Sequence, residues 1–386
     1  MRLESVKYSE FEGSPQEWTL EGLRLGARNL LVGRNATGKT RVLNVISGLA
    51  SQLAGSTILP LCGHYEIEFA HEGKNLRYEV KFDEQKVVLE KFSFDGEVVL
   101  DRHQDGAGEI LAEAIDGERK TIRFQTPPST LAAVARRDAI QHTFLEPLHV
   151  WASSLRLFSF GSPLGKDQWA VYLPNASTQF DEKNPNQVVQ LFRQAEKEFN
   201  GDFKDKVLGD MRKLDYDLKE LEIGVPVSIR VFGLPGELVG LSVKENGLTG
   251  ITDQHSMSQG MFRALSLLIQ LNYSQLSTKA TCILIDDIGE GLDFQRSCQL
   301  IDLLRQKAER SDIQIILSTN DRFVMNSVPL EEWSVLQRQG GRVKVRNYDN
   351  SREVFEEFKF TGLSNFSFLE MDFISGPPAE ETPANA

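Results

Sequence analysis

The residues Gly33-Arg34-Asn35-Ala36-Thr37-Gly38-Lys39-Thr40 read G-x-x-x-x-G-K-T, the pattern of a phosphate-binding loop. Gly33 and Gly38 let the backbone turn its N–H groups inward around phosphate oxygens, with Arg34, Asn35, Ala36 and Thr37 as the turn between them. A helix N-terminus behind such a loop adds partial positive charge. Lys39 is expected to reach the β- and γ-phosphates of a nucleoside triphosphate, and the Thr40 hydroxyl is a hard oxygen ligand for Mg²⁺. Far downstream, Ile283-Leu284-Ile285-Asp286-Asp287 is an apolar run ending in two carboxylates. Asp286 there can orient Mg²⁺ or a water on it, and Asp287 stands where a second acid would polarise an attacking water. Alone, such a run is a common loop entry; together with Lys39-Thr40 it becomes a site.

These residues need elements to hold them. Arg28-Asn29-Leu30-Leu31-Val32 is a strand-type run before the loop, and Val42 to Leu49 has helical apolar spacing after it. Before them, Leu3 to Tyr8 and Trp18 to Leu20 read as strands. Tyr8, Phe11 and Trp18 could stack on a base, although core packing is the better reading of each. From Tyr65 to Phe124 the period changes to two, with strands at 65–69, 76–80, 87–92 and 121–124 and turns at Glu72-Gly73 and Asp95-Gly96. Leu131 to Trp151 reads as largely helical and 155–160 as a strand. Residues 161–186 read as a loop, 187–218 as two short helices broken near Asn200-Gly201, and 223–243 as strands with turns at Gly233-Leu234 and Gly240-Leu241. The chain then alternates: a helix over 261–273, a buried strand over 282–285, a helix over 295–307 and a buried strand over 313–317. That alternation predicts parallel pairing with the strand before the loop. We divide the chain into a lobe with the loop (1–60), an antiparallel β insertion with the helix and strand after it (61–160), a helical and β insertion (161–250), a second lobe (251–372) and a disordered Pro/Ala/Glu-rich tail (373–386).

Three further motifs lie in the second lobe. Ser256-Met257-Ser258-Gln259-Gly260-Met261 places an S-x-G at the start of a helix, which is a natural anion site and also an ordinary serine N-cap. Gly289-Glu290-Gly291-Leu292-Asp293 follows the acidic strand, and Ser318-Thr319-Asn320-Asp321 follows the next strand. In this order, from Gly33 to Asp321, the motifs resemble those of ABC-type ATPases: Walker A, signature, Walker B, D-loop and switch. The insertions and the long gap between loop and signature are similar to the SMC/RecF/OLD-like branch rather than to transporter subunits. Within that branch the chain looks most like small AAA-type ATPases of bacterial defence operons. The resemblance implies an α/β P-loop NTPase head with an inserted antiparallel β subdomain and a short helical subdomain. It implies ATP and Mg²⁺, with Thr40 and Asp286 at the metal. It also implies that Ser258, Gln259 and Gly260 contact the γ-phosphate held by a second copy, and that Asp293 crosses the dimer interface.

The chain departs from the family pattern in three places. Asp287 stands where the family has Glu, and Asn320 where it has the switch histidine. Ala36 replaces a glycine of the loop. Gln125 and Gln141 are the candidates for the Q-loop glutamine, although an ordinary polar residue is the better reading of each. A shorter acid and an uncharged switch predict slow hydrolysis.

Composition narrows the partners. The 386 residues are 40% hydrophobic and 25% charged, with a net charge of −12, which argues against a surface devoted to coating nucleic acid. Cys62, Cys282 and Cys298 have neither disulfide nor zinc spacing. No run approaches a membrane span or a signal segment, so a cytoplasmic protein is expected. Arg338, Arg342, Lys344 and Arg346 fit the wet face of a strand better than a nucleic-acid contact. The expected function is an ATPase that dimerises, or forms a larger ring, around ATP and gates a separate effector such as a nuclease or toxin. The alternatives are a DNA-repair or chromosome-maintenance ATPase and a nucleotide-stabilised scaffold without turnover.

Overall fold

The computed structural model describes residues 1–113, 117–173, 180–231, 233–234, 236–277, 282–311 and 313–375. The N-terminal strands are β1 (Arg2–Glu10), β2 (Trp18–Arg24) and β3 (Arg28–Val32), followed by α1 (Lys39–Leu53). An antiparallel run comes next: β4 (Cys62–His71), β5 (Lys74–Asp83), β6 (Lys86–Phe94), β7 (Glu97–Arg102), β8 (Ala107–Glu113) and β9 (Arg119–Gln125). Then come α2 (Ala132–Ala135), α3 (Glu146–Ser154), β10 (Arg156–Ser159), β11 (Ala170–Tyr172), α4 (Val188–Phe199), α5 (Gly201–Lys213), β12 (Leu218–Gly224), β13 (Glu237–Glu245) and β14 (Thr252–Asp253). The remainder is α6 (Gln259–Leu276), β15 (Cys282–Asp286), α7 (Phe294–Ser311), β16 (Gln314–Ser318), α8 (Arg322–Ser327), β17 (Trp333–Gln339), β18 (Arg342–Asn347), α9 (Tyr348–Lys359) and α10 (Asn365–Glu370).

Among the described residues one sheet has the order β10-β15-β16-β3-β17-β18-β2-β1-β4-β5-β6-β7-β8-β9. β10, β15, β16, β3 and β17 run parallel. Every residue of β15 and β16 is buried, as expected of strands covered on both faces. Their side chains alternate between two cores. Leu284 and Ile316 join Val42, Leu43, Ile46, Leu148 and Trp151 beneath α1 and α3. Ile283, Ile285, Ile315 and Leu317 join Phe192, Met211, Leu265, Leu268 and Leu304 beneath α4–α7. The antiparallel strands are continuous with this sheet, because β4 pairs with β1. In β4, Tyr65, Ile67 and Phe69 are buried, while Glu66 and Glu68 face outward to Lys7, Arg77 and Arg24. The predicted turns at Glu72-Gly73 and Asp95-Gly96 both have positive φ at each residue, as type I′ hairpins require. Arg342, Lys344 and Arg346 alternate outward along β18.

Several sequence expectations change, among them the loop over 161–186, which holds the short strand β11. β7 and β8 are strands that the period-two reading passed over, because each presents only two buried apolar residues or fewer (Val99 and Leu100; Ile110). Leu131 to Trp151 is helical only at its ends. Asp138 accepts hydrogen bonds from the N–H groups of Ile140 and Gln141, a local turn that competes with helix. Gly240-Leu241 is the middle of β13, not a turn. Gly240 is there because a Cβ would lie 2.5 Å from the Trp169 ring. Of the tail, Phe373–Ser375 form a 3₁₀ turn whose Phe373 ring packs on Phe358 and Phe368. The disordered stretch expected after them lies outside the described residues. Among the described residues no helix is long and apolar enough to cross a membrane.

Candidate nucleotide site

β3 ends at Val32, and α1 starts at Lys39 with Gly38 as its N-cap in the left-handed region, φ 105°. Between them the loop closes on itself. The Thr37 hydroxyl donates to the Arg34 carbonyl at 2.9 Å. A Cβ at Gly33 would meet Thr37 Oγ1 at 2.6 Å and the Leu336 carbonyl of β17 at 2.9 Å, so only glycine fits. Ala36 also has positive φ, 64°, where glycine is the unstrained residue. Arg338 of β17 braces this point, donating from Nη1 to the Ala36 carbonyl at 2.9 Å. Lys39 is 7% exposed and donates to the Gly33 carbonyl at 2.9 Å. Burial lowers its pKa, opposed by Asp287 and Asp286. Arg34, Asn35, Ala36 and Thr40 are exposed.

The acids sit at the C-terminal end of β15, one strand away from β3 across β16. Asp286 is buried, and the Ser318 hydroxyl at the end of β16 donates to its Oδ1. The same hydroxyl accepts the Asp287 N–H at 3.0 Å. Thus one serine holds both acids against the next strand. Asp287 takes positive φ, 52°, and its Oδ1 accepts from Asn320 Nδ2 at 3.2 Å. Burial raises the Asp287 pKa, reinforced by the charges of Asp286 and Glu290 and opposed by Lys39. So Lys39, Asp286, Asp287 and Asn320 converge on one end of the parallel strands. A loop turned on Gly33, where no Cβ fits, and on the left-handed Gly38, with a desolvated cation and two acids, fits a nucleoside triphosphate with a divalent cation.

The signature sequence lies at the start of α6. Ser258 caps the helix, accepting the Met261 N–H at 3.2 Å. Ser258 and Gln259 are exposed, and Gly260 is pressed against the Gly291 carbonyl, which a Cβ would approach to 2.4 Å. Asp293 is exposed, caps the Arg296 N–H at 2.9 Å and pairs with the Arg296 side chain. Just upstream, Asp253 anchors the approach to the helix. Its carboxylate accepts from the N–H groups of Val227, Ser228 and Ser256 and from the Ser228 hydroxyl. Burial alone would raise its pKa; these donors override it and hold the value at about 2.

Residues 28–326 match the family described as "AAA domain, putative AbiEii toxin, Type IV TA system". The chain belongs to this family. It therefore carries the AAA-type ATPase domain of that family, with the P-loop at its start. No curated protein matches it. The SMC head bound to the C-winged helix domain of ScpA shares the fold, with a TM-score of 0.52 at 12% identity over 90% of this chain and 97% of that chain. The SMC head domain from Thermotoga maritima scores 0.43 at 13% identity, covering 90% of this chain and 99% of that chain. The cbiO1 subunit of the cbiONQ ABC transporter from Clostridium perfringens scores 0.40 at 14% identity, covering 97% and 98%.

Some site residues were not foreseen. Ser318 opens the motif Ser318-Thr319-Asn320-Asp321, but its hold on both acids is not given by the motif, although a hydroxyl directly after an apolar strand is a usable signal. Glu290 and Arg263 were legible as charges but not as neighbours of the acids. The Q-loop candidates fall elsewhere: Gln125 ends β9 and donates to the Asp105 carbonyl, and Gln141 follows the Asp138 turn. The segment that meets Asp286 and Asp287 is instead the one after β10, where the Phe160 N–H donates to the Asp286 carbonyl at 2.8 Å. Tyr8 and Trp18 are buried, with the Arg41 guanidinium 4.4 Å above the Trp18 ring, so both serve packing; Phe11 is partly exposed on a tight turn.

Proposed function

We propose that this protein is an ATP-dependent clamp. Two copies close on ATP, and the closed form acts on a separate effector protein. The observation that carries this reading is the presence of two half-sites on one chain: the exposed loop residues Arg34 to Ala36 with the buried Lys39 behind them, and the turn at the start of α6 where Ser258 and Gln259 are exposed. The N-terminus of α6, where the Gln259 and Gly260 amides lie ahead of the Met261 amide that Ser258 caps, suits a phosphate supplied from outside. Thr40 and Asp286 would hold Mg²⁺, whose charge neutralises the phosphates. Lys39 binds the β- and γ-phosphates. Asp287 accepts a hydrogen bond from the attacking water and orients it, and Asn320 fixes the Asp287 carboxylate by the observed hydrogen bond. With Asp one methylene short of Glu and no charged switch residue, turnover is slow, and the closed state persists. The family name points to a toxin–antitoxin or defence setting, so the proposed effector is a nuclease or toxin on another chain.

Light scattering of the full chain with ATP, with ADP and without nucleotide tests the reading. A dimer or larger ring under ATP, reverting under ADP, is expected, with slow phosphate release that Asp287→Ala reduces further. A chain that stays monomeric under ATP, or one that turns over many times per second regardless of Asp287→Ala, overturns it. Pull-down under ATP against ADP then identifies the effector.

A further inference from the structure

The segment from Phe160 to Gln168 touches both halves of the proposed site. At one end, the Phe160 N–H bonds the Asp286 carbonyl at 2.8 Å. The next residue, Gly161, lies against the acids: a Cβ there would stand 2.6 Å from Glu290 Oε2 and 3.5 Å from the Asp287 Cβ. At the other end the segment is fastened to residues on both sides of Ser258. Lys166 Nζ donates to the Met257 carbonyl. Gln254, fully buried, donates to the carbonyls of Lys166 at 2.8 Å and Gln168 at 2.9 Å. Ser266 donates to the Leu164 carbonyl at 2.8 Å.

Arg263 joins these ends directly. It projects from the second turn of α6 and is 7% exposed. Its Nε donates to the Ser162 carbonyl at 2.8 Å, its Nη2 to the Gly161 carbonyl, and its Nη1 to the Glu290 carbonyl at 3.0 Å. One rigid planar fork therefore holds the signature helix, the segment after β10 and the D-loop. Gly291, beside it, has φ 81°, and a Cβ there would lie 2.9 Å from Nη1. A lysine could reproduce one of the three bonds but not the fork.

We infer that Arg263 is a positioning residue that fixes the spacing between the Asp286–Asp287 pair and the Ser258–Gly260 turn within one protomer. This rests on the two-copy reading above and deepens it. In that arrangement a protomer's acids act on its own nucleotide, while its signature turn acts on the partner's. A fixed spacing makes closure on one nucleotide set the acids at the other. Arg263 touches neither nucleotide; it transmits.

The test uses the full chain with ATP and Mg²⁺, reading kcat from phosphate release and ATP affinity by calorimetry under conditions that keep the chain monomeric. Arg263→Ala is expected to lower kcat about tenfold or more, since misplacement of reacting groups by about 1 Å costs on that order. ATP affinity should stay within about threefold, because the P-loop is untouched, and Arg263→Lys should recover part of the rate. A residue of merely structural importance would lower thermal stability and ATP affinity together and show no such split. Ser258→Arg, which places bulk and charge on the signature turn, serves as the control. Loss of turnover in Ser258→Arg with kcat unchanged in Arg263→Ala overturns the inference alone. Turnover unchanged in Ser258→Arg overturns the two-copy reading beneath it. If Arg263→Ala does not fold, Arg263→Lys and Lys166→Met take its place; a reduced kcat with retained ATP affinity supports the inference, and native kcat in both overturns it.

Discussion

At one end of the sheet, β15 and β16 are buried on both faces, and β15 carries no charge before Asp286. At the other end, β4 to β6 alternate buried aromatic and aliphatic side chains with outward ion pairs such as Lys7–Glu66 and Arg77–Glu66. At the C-terminal ends of these strands lie the acids, Ser318 and Asn320, while at the start of β16 the buried Gln314 bonds the backbone of Leu3 and Gly26. The second end buries polar side chains inside the sheet: Arg102 donates to the carbonyls of Val87 and Pro127, each at 3.1 Å, and Glu90 serves as an acceptor. Glu90, fully buried, accepts from the Tyr78 hydroxyl at 3.0 Å and from the N–H groups of Ala132 and Ala133 at 2.6 and 2.8 Å. It caps the start of α2 and fastens the antiparallel strands to the chain that leads to β10. Polar groups at the C-terminal strand ends are placed for chemistry here; those at the strand start and inside the sheet serve attachment.

Mutations at the two ends should separate accordingly. Lys39→Ala should have the largest effect on function. It removes charge-assisted hydrogen bonds to phosphate worth about 3 kcal/mol together, so ATP affinity should fall about 100-fold in calorimetry. Its thermal midpoint without nucleotide should hardly move. Glu90→Ala should do the reverse. It strands a tyrosine hydroxyl and two helix amides in the interior, at about 3 kcal/mol by denaturant titration, while ATP affinity of the folded fraction stays native. Equal losses of affinity in both variants would collapse the distinction.

Smaller effects sharpen the first end. Asp287 must be a carboxylate to orient water, and its pKa is raised by burial and then by Asp286 and Glu290. Activity should therefore fail, as pH drops, above the pH at which an ordinary aspartate protonates. Glu290→Gln removes one of the raising charges and should move that acid limb of the pH–rate profile downward. A limb that stays in place or moves upward would show that Glu290 does not act on Asp287. The smallest expected change is a gain: Ala36→Gly relieves a left-handed alanine and should stabilise the fold by about 1 kcal/mol, seen as a higher unfolding midpoint.

What could be read from sequence follows the same division. The P-loop, its flanking strand and helix, and the parallel strands were legible because each is a local pattern: a motif, a buried run, a helical period. Asp286, Asp287 and Asn320 could be placed because they sit at the ends of those runs. The contacts of Arg263 could not, since its three carbonyl partners lie up to 102 positions away and carry no sequence signal of their own. Gly240 misled for a related reason. A glycine signals either a turn or a close neighbour, and the neighbour, Trp169, is remote in sequence. The pairing of β4 with β1, which makes the antiparallel strands part of the main sheet, is likewise a long-range fact.

The strand that carries the P-loop has its two sheet partners at the far end of the chain. β3, residues 28–32, is bounded by β16, residues 314–318, and β17, residues 333–339. On a ribosome, which releases the N-terminal part first, the loop emerges early but has no sheet to sit in until almost the whole chain has followed. Gly33 lacks its neighbour Leu336, and Ala36 lacks the brace of Arg338, until then. A chain that stopped at Asp321 would keep every motif from Gly33 to Asp321 and yet lack Leu336 and Arg338, the two neighbours against which the loop rests.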